Sequence, residues 1–217
     1  MGGKCEGNVN FKVASICFDS RLIFNETNGL FVAIKTTKND GHKFIREAYE
    51  KGIRCFVTER PLKNKEKDAS YIIVNDSILS IQKWAKHHRE KFNIPILAIS
   101  GSYGKTIVKE WIFHFTKSSY NVIRSPKSYN SKLGVALSVL MLTDKHELGI
   151  FELGISEPGE MDVLKSMTQP THVIITNIST AHIENFENKS QLVKEKEKLI
   201  IKNNTIYYKK GNIPAWQ

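Results

Sequence analysis

The sequence predicts an α/β protein in two parts. A small N-terminal α/β unit spans residues 1–93, and a mostly parallel, doubly wound sheet spans residues 94–217. Three observations carry this reading. Short apolar runs of strand length alternate with longer runs of helical periodicity, the order that builds sheets covered by helices. Asn93-Ile94-Pro95 separates two such series, because proline restricts the residue before it and cannot prolong a helix. A glycine-containing turn, Gly101-Ser102-Tyr103-Gly104-Lys105-Thr106, joins an all-apolar run to a helical one.

In the first part, residues 13–18 alternate loosely and end at Asp19-Ser20-Arg21. After a turn at 25–29, Leu30-Phe31-Val32-Ala33-Ile34 reads as a buried strand and Asp40-Gly41 as a turn. Phe44, Ala48 and Tyr49 recur at helical spacing up to Gly52, which is placed to end the helix in a left-handed conformation. Residues 53–58 and 71–74 read as two more strands. Asp76 or Ser77 caps a helix whose Ile78, Ile81, Trp84, Ala85 and His88 share one face.

Beyond Pro95 the pattern sharpens. Ile96-Leu97-Ala98-Ile99 is a strand of the kind buried on both faces of a parallel sheet. A helix over 105–117 follows the glycine turn, then a strand over 121–124 and a helix over 132–142 with Leu133, Leu137, Leu140 and Met141 inward. Residues 148–155 form a buried strand containing Glu152-Leu153-Gly154. Pro158 opens the next helix at its first position, with Met161, Leu164 and Met167 inward. A strand over 171–178, a helix capped by Ser190 and running to about 201, and a strand over 205–208 complete the series.

The net charge of +10 raises nucleic acid as a partner, but the lysines are scattered and often sit beside glutamates, as in Lys194-Glu195-Lys196-Glu197-Lys198. No nucleic-acid partner is expected, and a basic surface suits an anionic nucleotide equally well. No apolar run has the length of a membrane span, so no membrane partner is expected. Cys5, Cys17 and Cys55 are far apart and odd in number, with neither metal-ligand nor disulfide spacing, which fits a reducing cytoplasm.

The glycine turn carries the chemistry. Gly101-x-x-Gly104-Lys105-Thr106 between a strand and a helix is a phosphate-binding loop, because backbone N–H groups and a helix N-terminus together attract phosphate oxygens. Gly101 and Gly104 permit conformations that side chains prevent. Ser102 and Tyr103 lie inside the loop, Lys105 supplies a point charge for the β- and γ-phosphates of ATP, and Thr106 offers a hydroxyl to Mg²⁺. The longer form of this pattern has its first glycine where this chain has Ile99, so the loop is of a shorter type.

These residues, taken with others along the chain, resemble the Mur ligases, enzymes that extend UDP-N-acetylmuramoyl precursors of peptidoglycan. Asp19-Ser20-Arg21 with Gly29-Leu30-Phe31-Val32-Ala33, and Asp40-Gly41-His42-Lys43-Phe44, are similar to that family's uridine-binding N-terminal domain. Ser128-Tyr129-Asn130-Ser131-Lys132-Leu133-Gly134-Val135 is similar to its muramoyl-contacting stretch. Glu152-Leu153-Gly154 and Ala181-His182-Ile183-Glu184 match its metal-site motifs, and Lys194-Glu195-Lys196 its modified-lysine segment. The likeness is greatest to the branch that adds D-Ala-D-Ala to a UDP-N-acetylmuramoyl tripeptide. The segment Arg124-Ser125-Pro126-Lys127-Ser128-Tyr129-Asn130 also resembles versions fused to a downstream alanine racemase module.

The resemblance implies ATP-dependent amide formation through an acyl phosphate, with Lys105, His182 and Lys196 as catalytic residues. It further implies Thr106, Glu152 and His182 at Mg²⁺, a carbamylated Lys196 (Lys194 and Lys198 are the neighbouring registers), and Asp19, Ser20, Arg21, Gly41, His42 and Asn130 at the substrate. It covers the family's first domain and the opening part of its ATPase domain, so the chain alone is expected to lack ligase activity. A folylpolyglutamate-type or other Mur-type ligase shares the short loop, and a non-catalytic nucleotide-binding module remains open alongside it.

Overall fold

The computed structural model describes residues 2–7, 10–24, 28–37, 39–179, 183–200 and 205–208. They fall into two compact units, 1–81 and 82–217, so the division lies inside the helix Ser77–Arg89.

The first unit is a five-stranded sheet. Its strands are β1 (Lys4–Glu6), β2 (Ser15–Cys17), β3 (Gly29–Val32), β4 (Cys55–Thr58) and β5 (Ser70–Ile73), in the order β1-β5-β4-β3-β2. The inner pairings are parallel and β1 joins β5 antiparallel. Helix α1 (Ile45–Glu50) packs beside it, and short 3-10 turns span Ser20–Leu22 and Gly41–Phe44. All four residues of β3 and of β4 are buried, in keeping with the apolar Leu30-Phe31-Val32 and Cys55-Phe56-Val57 that they carry, and β4 ends in the buried polar Thr58. Phe56 stacks on Tyr71 at 5.4 Å and meets Phe31 edge-on at 6.4 Å, with Ile45, Ala48 and Ile53 in the same cluster. Gly41 is forced: a Cβ there would lie 2.8 Å from the backbone N and O of Ile34.

Helix α2 (Ser77–Arg89) begins at Asp76, whose carboxylate accepts from Leu79 N at 2.8 Å. Ser77 instead turns its hydroxyl to Ala33 O at 3.1 Å.

The second unit is an all-parallel sheet with the order β10-β9-β6-β8-β7. Along the chain run β6 (Ile96–Ser100), α3 (Lys105–Thr116), β7 (Val122–Arg124), α4 (Lys132–Leu140), β8 (Leu148–Glu152), α5 (Glu160–Thr168), β9 (His172–Ile175), α6 (Lys189–Glu197) and β10 (Thr205–Tyr208). Every residue of β6 is buried. Leu97, Ile99 and Ile150 pack against Val108, Ile112 and Phe113 of α3. Strands are added on both sides of β6, and such an arrangement opens a crevice at the carboxyl ends of the central strands. The glycine turn leaves β6 at that edge, and Glu152 ends the neighbouring β8.

Two helix starts differ from the sequence expectation. Pro158 precedes the cap of α5 rather than opening the helix; Gly159 is the cap, at φ +86°. The Glu160 carboxylate folds back to Ser156 N at 2.7 Å and Glu157 N at 3.0 Å, and so shapes the turn that holds Pro158 outside. Helix α6 is capped by Asn188, which accepts from Gln191 N at 3.0 Å, leaving Ser190 inside the first turn.

Candidate functional site

Gly101 leaves β6 at φ +136°, and a Cβ on it would fall 2.1 Å from Thr176 Oγ1 and 2.8 Å from Asn177 O. The loop therefore lies directly on the segment that follows β9. Ser102 N donates to Asn177 O at 2.9 Å, Tyr103 N donates to the Asn177 side chain at 3.1 Å, and Thr176 Oγ1 donates to Tyr103 O at 2.7 Å. Gly104, at φ +79°, starts α3 with no side-chain cap. The first amides of that helix thus keep the anion-binding potential of an uncapped N-terminus. Lys105 folds back over the loop, its Nζ donating to Gly101 O at 2.9 Å. Burial lowers the Lys105 ammonium pKa, and the negative Glu152 opposes that shift.

Thr106 Oγ1 donates to Glu152 Oε2 at 2.7 Å, and Asn130 Nδ2 donates to Glu152 Oε1 at 2.8 Å. Glu152 is buried although it stands at a strand end. Three sequence-predicted residues, Thr106, Asn130 and Glu152, thus meet at one carboxylate. Gly154 admits the Asn130 amide, whose atoms would sit 3.0–3.3 Å from a Cβ at that position. The sequence reading missed Lys109. Its fully buried side chain donates to Ser125 O at 2.9 Å and also to Lys127 O, and Nζ lies 3.8 Å from Glu152 Oε2. The available signal was its place one helical turn after Lys105, on the same face.

Lys196 is buried and donates to Ser102 Oγ at 2.9 Å. The same hydroxyl accepts from Ser179 N at 2.8 Å and donates to Ser179 O at 3.1 Å. Burial, reinforced by the positive charge of Lys105, lowers the Lys196 pKa to about 8. Of the neighbouring registers, Lys194 is exposed and Lys198 pairs with Asp162 and Glu195, each at 2.8 Å. His182 lies outside the described residues.

In the first unit, Asp19 holds Arg21 through its backbone N at 3.0 Å and its guanidinium at 2.9 and 2.6 Å. That guanidinium lowers the Asp19 carboxyl to about 2. Ser20 is buried and donates to Glu47 Oε2 at 2.8 Å. His42 accepts from Glu59 N at Nε2 at 3.0 Å, which places its ring hydrogen on Nδ1, facing Asp40 Oδ1 at 2.6 Å. Both its ring nitrogens are thereby engaged within the unit. An open recess of about 590 Å³ at the carboxyl edge of this sheet is lined by Lys35, Thr36, Thr37, Glu59, Asn75 and Asp76.

Residues 99–208, just over half of the chain, match the family described as the Mur ligase middle domain. The chain belongs to the Mur ligase family. It is 27% identical over 188 residues to the UDP-N-acetylmuramoyl-tripeptide–D-alanyl-D-alanine ligase of Bacillus subtilis, covering 87% of this chain and 41% of that one. The ligase of the same name from Borreliella burgdorferi is 32% identical over 209 residues, covering 92% of this chain and 45% of that one. Among solved structures, MurF of Acinetobacter baumannii superposes with a TM-score of 0.82 at 26% identity, over 90% of this chain and 43% of that one. MurF ligase of Thermotoga maritima in complex with ADP gives 0.78 at 26% identity, over 91% and 45%. This Mur ligase chain therefore spans less than half the length of these relatives.

Within this Mur ligase fold, the donors gathered beside Lys105 are a hydroxyl, a carboxylate and an amide, from Thr106, Glu152 and Asn130. Hard oxygen donors of this kind suit Mg²⁺. Among the described residues, no group of three or more His, Cys, Asp or Glu side chains gathers as a metal site. Any metal here would accordingly draw on hydroxyl and phosphate oxygens as well as Glu152. Among the described residues, no helix is long and apolar enough to cross a membrane.

Proposed function

We propose that this chain is the front portion of a cytoplasmic, ATP-dependent ligase that joins D-Ala-D-Ala to a UDP-N-acetylmuramoyl tripeptide. The observation that carries the reading is the Thr106–Glu152 link beside Lys105, on a chain about 30% identical to ligases of that name. In this reaction an oxygen of the tripeptide carboxylate attacks the γ-phosphorus of ATP and ADP leaves, giving an acyl phosphate. The amine of D-Ala-D-Ala then attacks the acyl carbon, phosphate leaves, and the amine gives up a proton.

The chain's own residues prepare the first step. The amides at the start of α3 and the loop backbone bind the phosphates, and Lys105 exchanges its contact with Gly101 O for phosphate oxygen. Thr106 and Glu152 would hold Mg²⁺, with His182 a ligand of a second ion; the metal would offset the repulsion between two approaching anions. Lys196, whose amine is more readily unprotonated than an ordinary lysine's, is suited to carbamylation and would then present an oxygen anion. Asn130 orients Glu152 and faces the muramoyl substrate, while Asp19, Ser20, Arg21, Gly41 and His42 serve or shape the uridine end. The racemase module suggested by residues 124–130 rests on sequence resemblance alone, and a racemisation assay on the full-length parent tests it.

Calorimetric titration of the chain with ADP and ATP tests the core of this reading. Mg²⁺-dependent binding that disappears in Lys105→Ala is the expected result, and absence of binding by the unaltered chain overturns it. A phosphate-release assay with tripeptide precursor, D-Ala-D-Ala and ATP is expected to show turnover by the full-length parent and none by these 217 residues.

A further inference from the structure

Lys109 has no part in the chemistry above, yet its ammonium is the centre of an oxygen cage. Around Nζ stand Ser125 O at 2.9 Å, Lys127 O, Glu110 Oε1 at 3.3 Å and Glu152 Oε2 at 3.8 Å. The side chain is 0% exposed. Burying an ammonium is costly unless it is paired and hydrogen-bonded, and here carbonyls and carboxylates supply that compensation. The cage does more than satisfy the lysine, because it joins three pieces of the site. Ser125 follows β7 directly, and its Oγ accepts from Glu152 N at 3.2 Å. Lys127 occupies a left-handed turn at φ +48°, three residues before Asn130. Glu152 already receives Asn130 on one oxygen and Thr106 on the other.

We propose that Lys109 is a positioning residue, an internal cation that orients the Glu152 carboxylate toward Thr106 and pins the 125–130 segment that delivers Asn130. This rests on the reading of Thr106 and Glu152 as the Mg²⁺ donors. In this role Lys109 acts through Glu152, whose Oε2 lies 3.8 Å from its Nζ, rather than on nucleotide or metal directly. A merely structural lysine would lower stability without changing how much Mg²⁺ helps nucleotide binding. A charge that simply repelled Mg²⁺ would, once removed, increase that help. The positioning role predicts a decrease.

The test is the ratio of ADP dissociation constants in EDTA and in saturating Mg²⁺, measured by calorimetry on the unaltered chain and on Lys109→Met, with circular dichroism as the check on folding. Loss of a residue that orients a metal ligand weakens metal binding by about 10–100-fold in general. The ratio is therefore expected to fall by roughly tenfold or more, while affinity in EDTA changes far less. An unchanged or raised ratio in folded Lys109→Met overturns the proposal and leaves the nucleotide reading standing. An unaltered chain with no Mg²⁺ effect overturns that reading and the proposal with it. If Lys109→Met does not fold, the paired variant Lys109→Met/Glu152→Gln removes both buried charges and is compared with Glu152→Gln alone. Equal ratios in these two support action through Glu152, and a further fall in the paired variant overturns it.

Discussion

Thr106 Oγ1 donates to Glu152 Oε2 at 2.7 Å, joining the first turn of α3 to the end of β8 across 46 residues of chain. The bond does two things at once. It satisfies a buried carboxylate oxygen, and it holds a hydroxyl and a carboxylate close enough to share a cation at the carboxyl edge of the sheet. Thr106→Val keeps the volume and removes the donor. Leaving a buried acceptor short of a partner is expected to cost about 1–2 kcal/mol of stability, measured by urea denaturation. The Mg²⁺ enhancement of ADP affinity should fall in the same variant, and an unchanged enhancement would remove Thr106 from the metal site.

The two loop glycines are required for different reasons, so their substitutions should differ. Gly101→Ala places a methyl group 2.1 Å from Thr176 Oγ1 at a φ of +136°. Both clash and backbone strain oppose it, and a loss of about 3 kcal/mol or more is expected, with nucleotide binding abolished. At Gly104, φ is +79° and nothing lies within 4 Å of the added methyl. Only the left-handed penalty applies, about 1–2 kcal/mol. Thermal denaturation of the two variants side by side tests the ranking, and equal losses would contradict the close approach at Gly101.

The contrast between those glycines was not legible in the sequence, where both belong to one pattern. What the pattern did carry was its context, an apolar strand before the loop and helical spacing after it. Glu152 was found through its likeness to the family's metal-site motif, and its place towards the end of an apolar strand, at the edge where such sheets bind ligands, agreed with that role. Lys109 was missed although its spacing from Lys105 was a signal, because a lysine one turn on also reads as part of a solvated helix face, and only the cage formed by Glu110, Glu152 and the 125–130 segment makes it internal. Strand β1 was missed because three mostly exposed residues, Lys4, Cys5 and Glu6, have no alternation to detect and are defined by pairing with β5. The misplaced starts of α5 and α6 have a common cause: Glu160 and Asn188 satisfy backbone amides through local side-chain contacts that a proline or serine rule cannot anticipate.

Arg89 is a third buried basic side chain beside Lys109 and Lys196, and it stabilises rather than reacts. Its guanidinium donates to Thr168 O at 2.9 Å, Ile94 O at 3.2 Å and Gln169 O at 3.4 Å, and also to Phe92 O. Thr168 ends α5, and Gln169 follows in a left-handed conformation at φ +43°, so the arginine caps that helix while fixing the approach to β6. Burial lowers the Arg89 pKa. Arg89→Met keeps the apolar stem but strips four carbonyls of their donors, and a loss of about 3 kcal/mol is expected by chemical denaturation. Lys is not an adequate replacement, since one ammonium cannot span the fork. A variant within about 0.5 kcal/mol of the unaltered chain, the range of ordinary surface substitutions, would show the clamp to be dispensable.

Lys196 should leave a pH signature on stability. Burial first, and the charge of Lys105 second, bring its pKa to about 8, below the ordinary lysine value of 10.5. Between those two values the unfolded chain binds more protons at this position than the folded one, so folding stability contributed by Lys196 rises with pH across the window. Below pH 8 both states are protonated and the folded one bears the full cost of the buried charge. Lys196→Met abolishes the titration while retaining the apolar bulk. Comparing the two proteins by urea denaturation at pH 7 and pH 9.5 cancels the titrating groups that do not interact with Lys196, leaving its own contribution and its coupling to Lys105. The difference is expected to move by roughly 1 kcal/mol in favour of the unaltered chain at the higher pH, after allowance for solvent screening. A shift in the opposite direction would mean that Lys196 is stabilised as the cation, which is incompatible with an amine prepared for carbamylation beside Ser102.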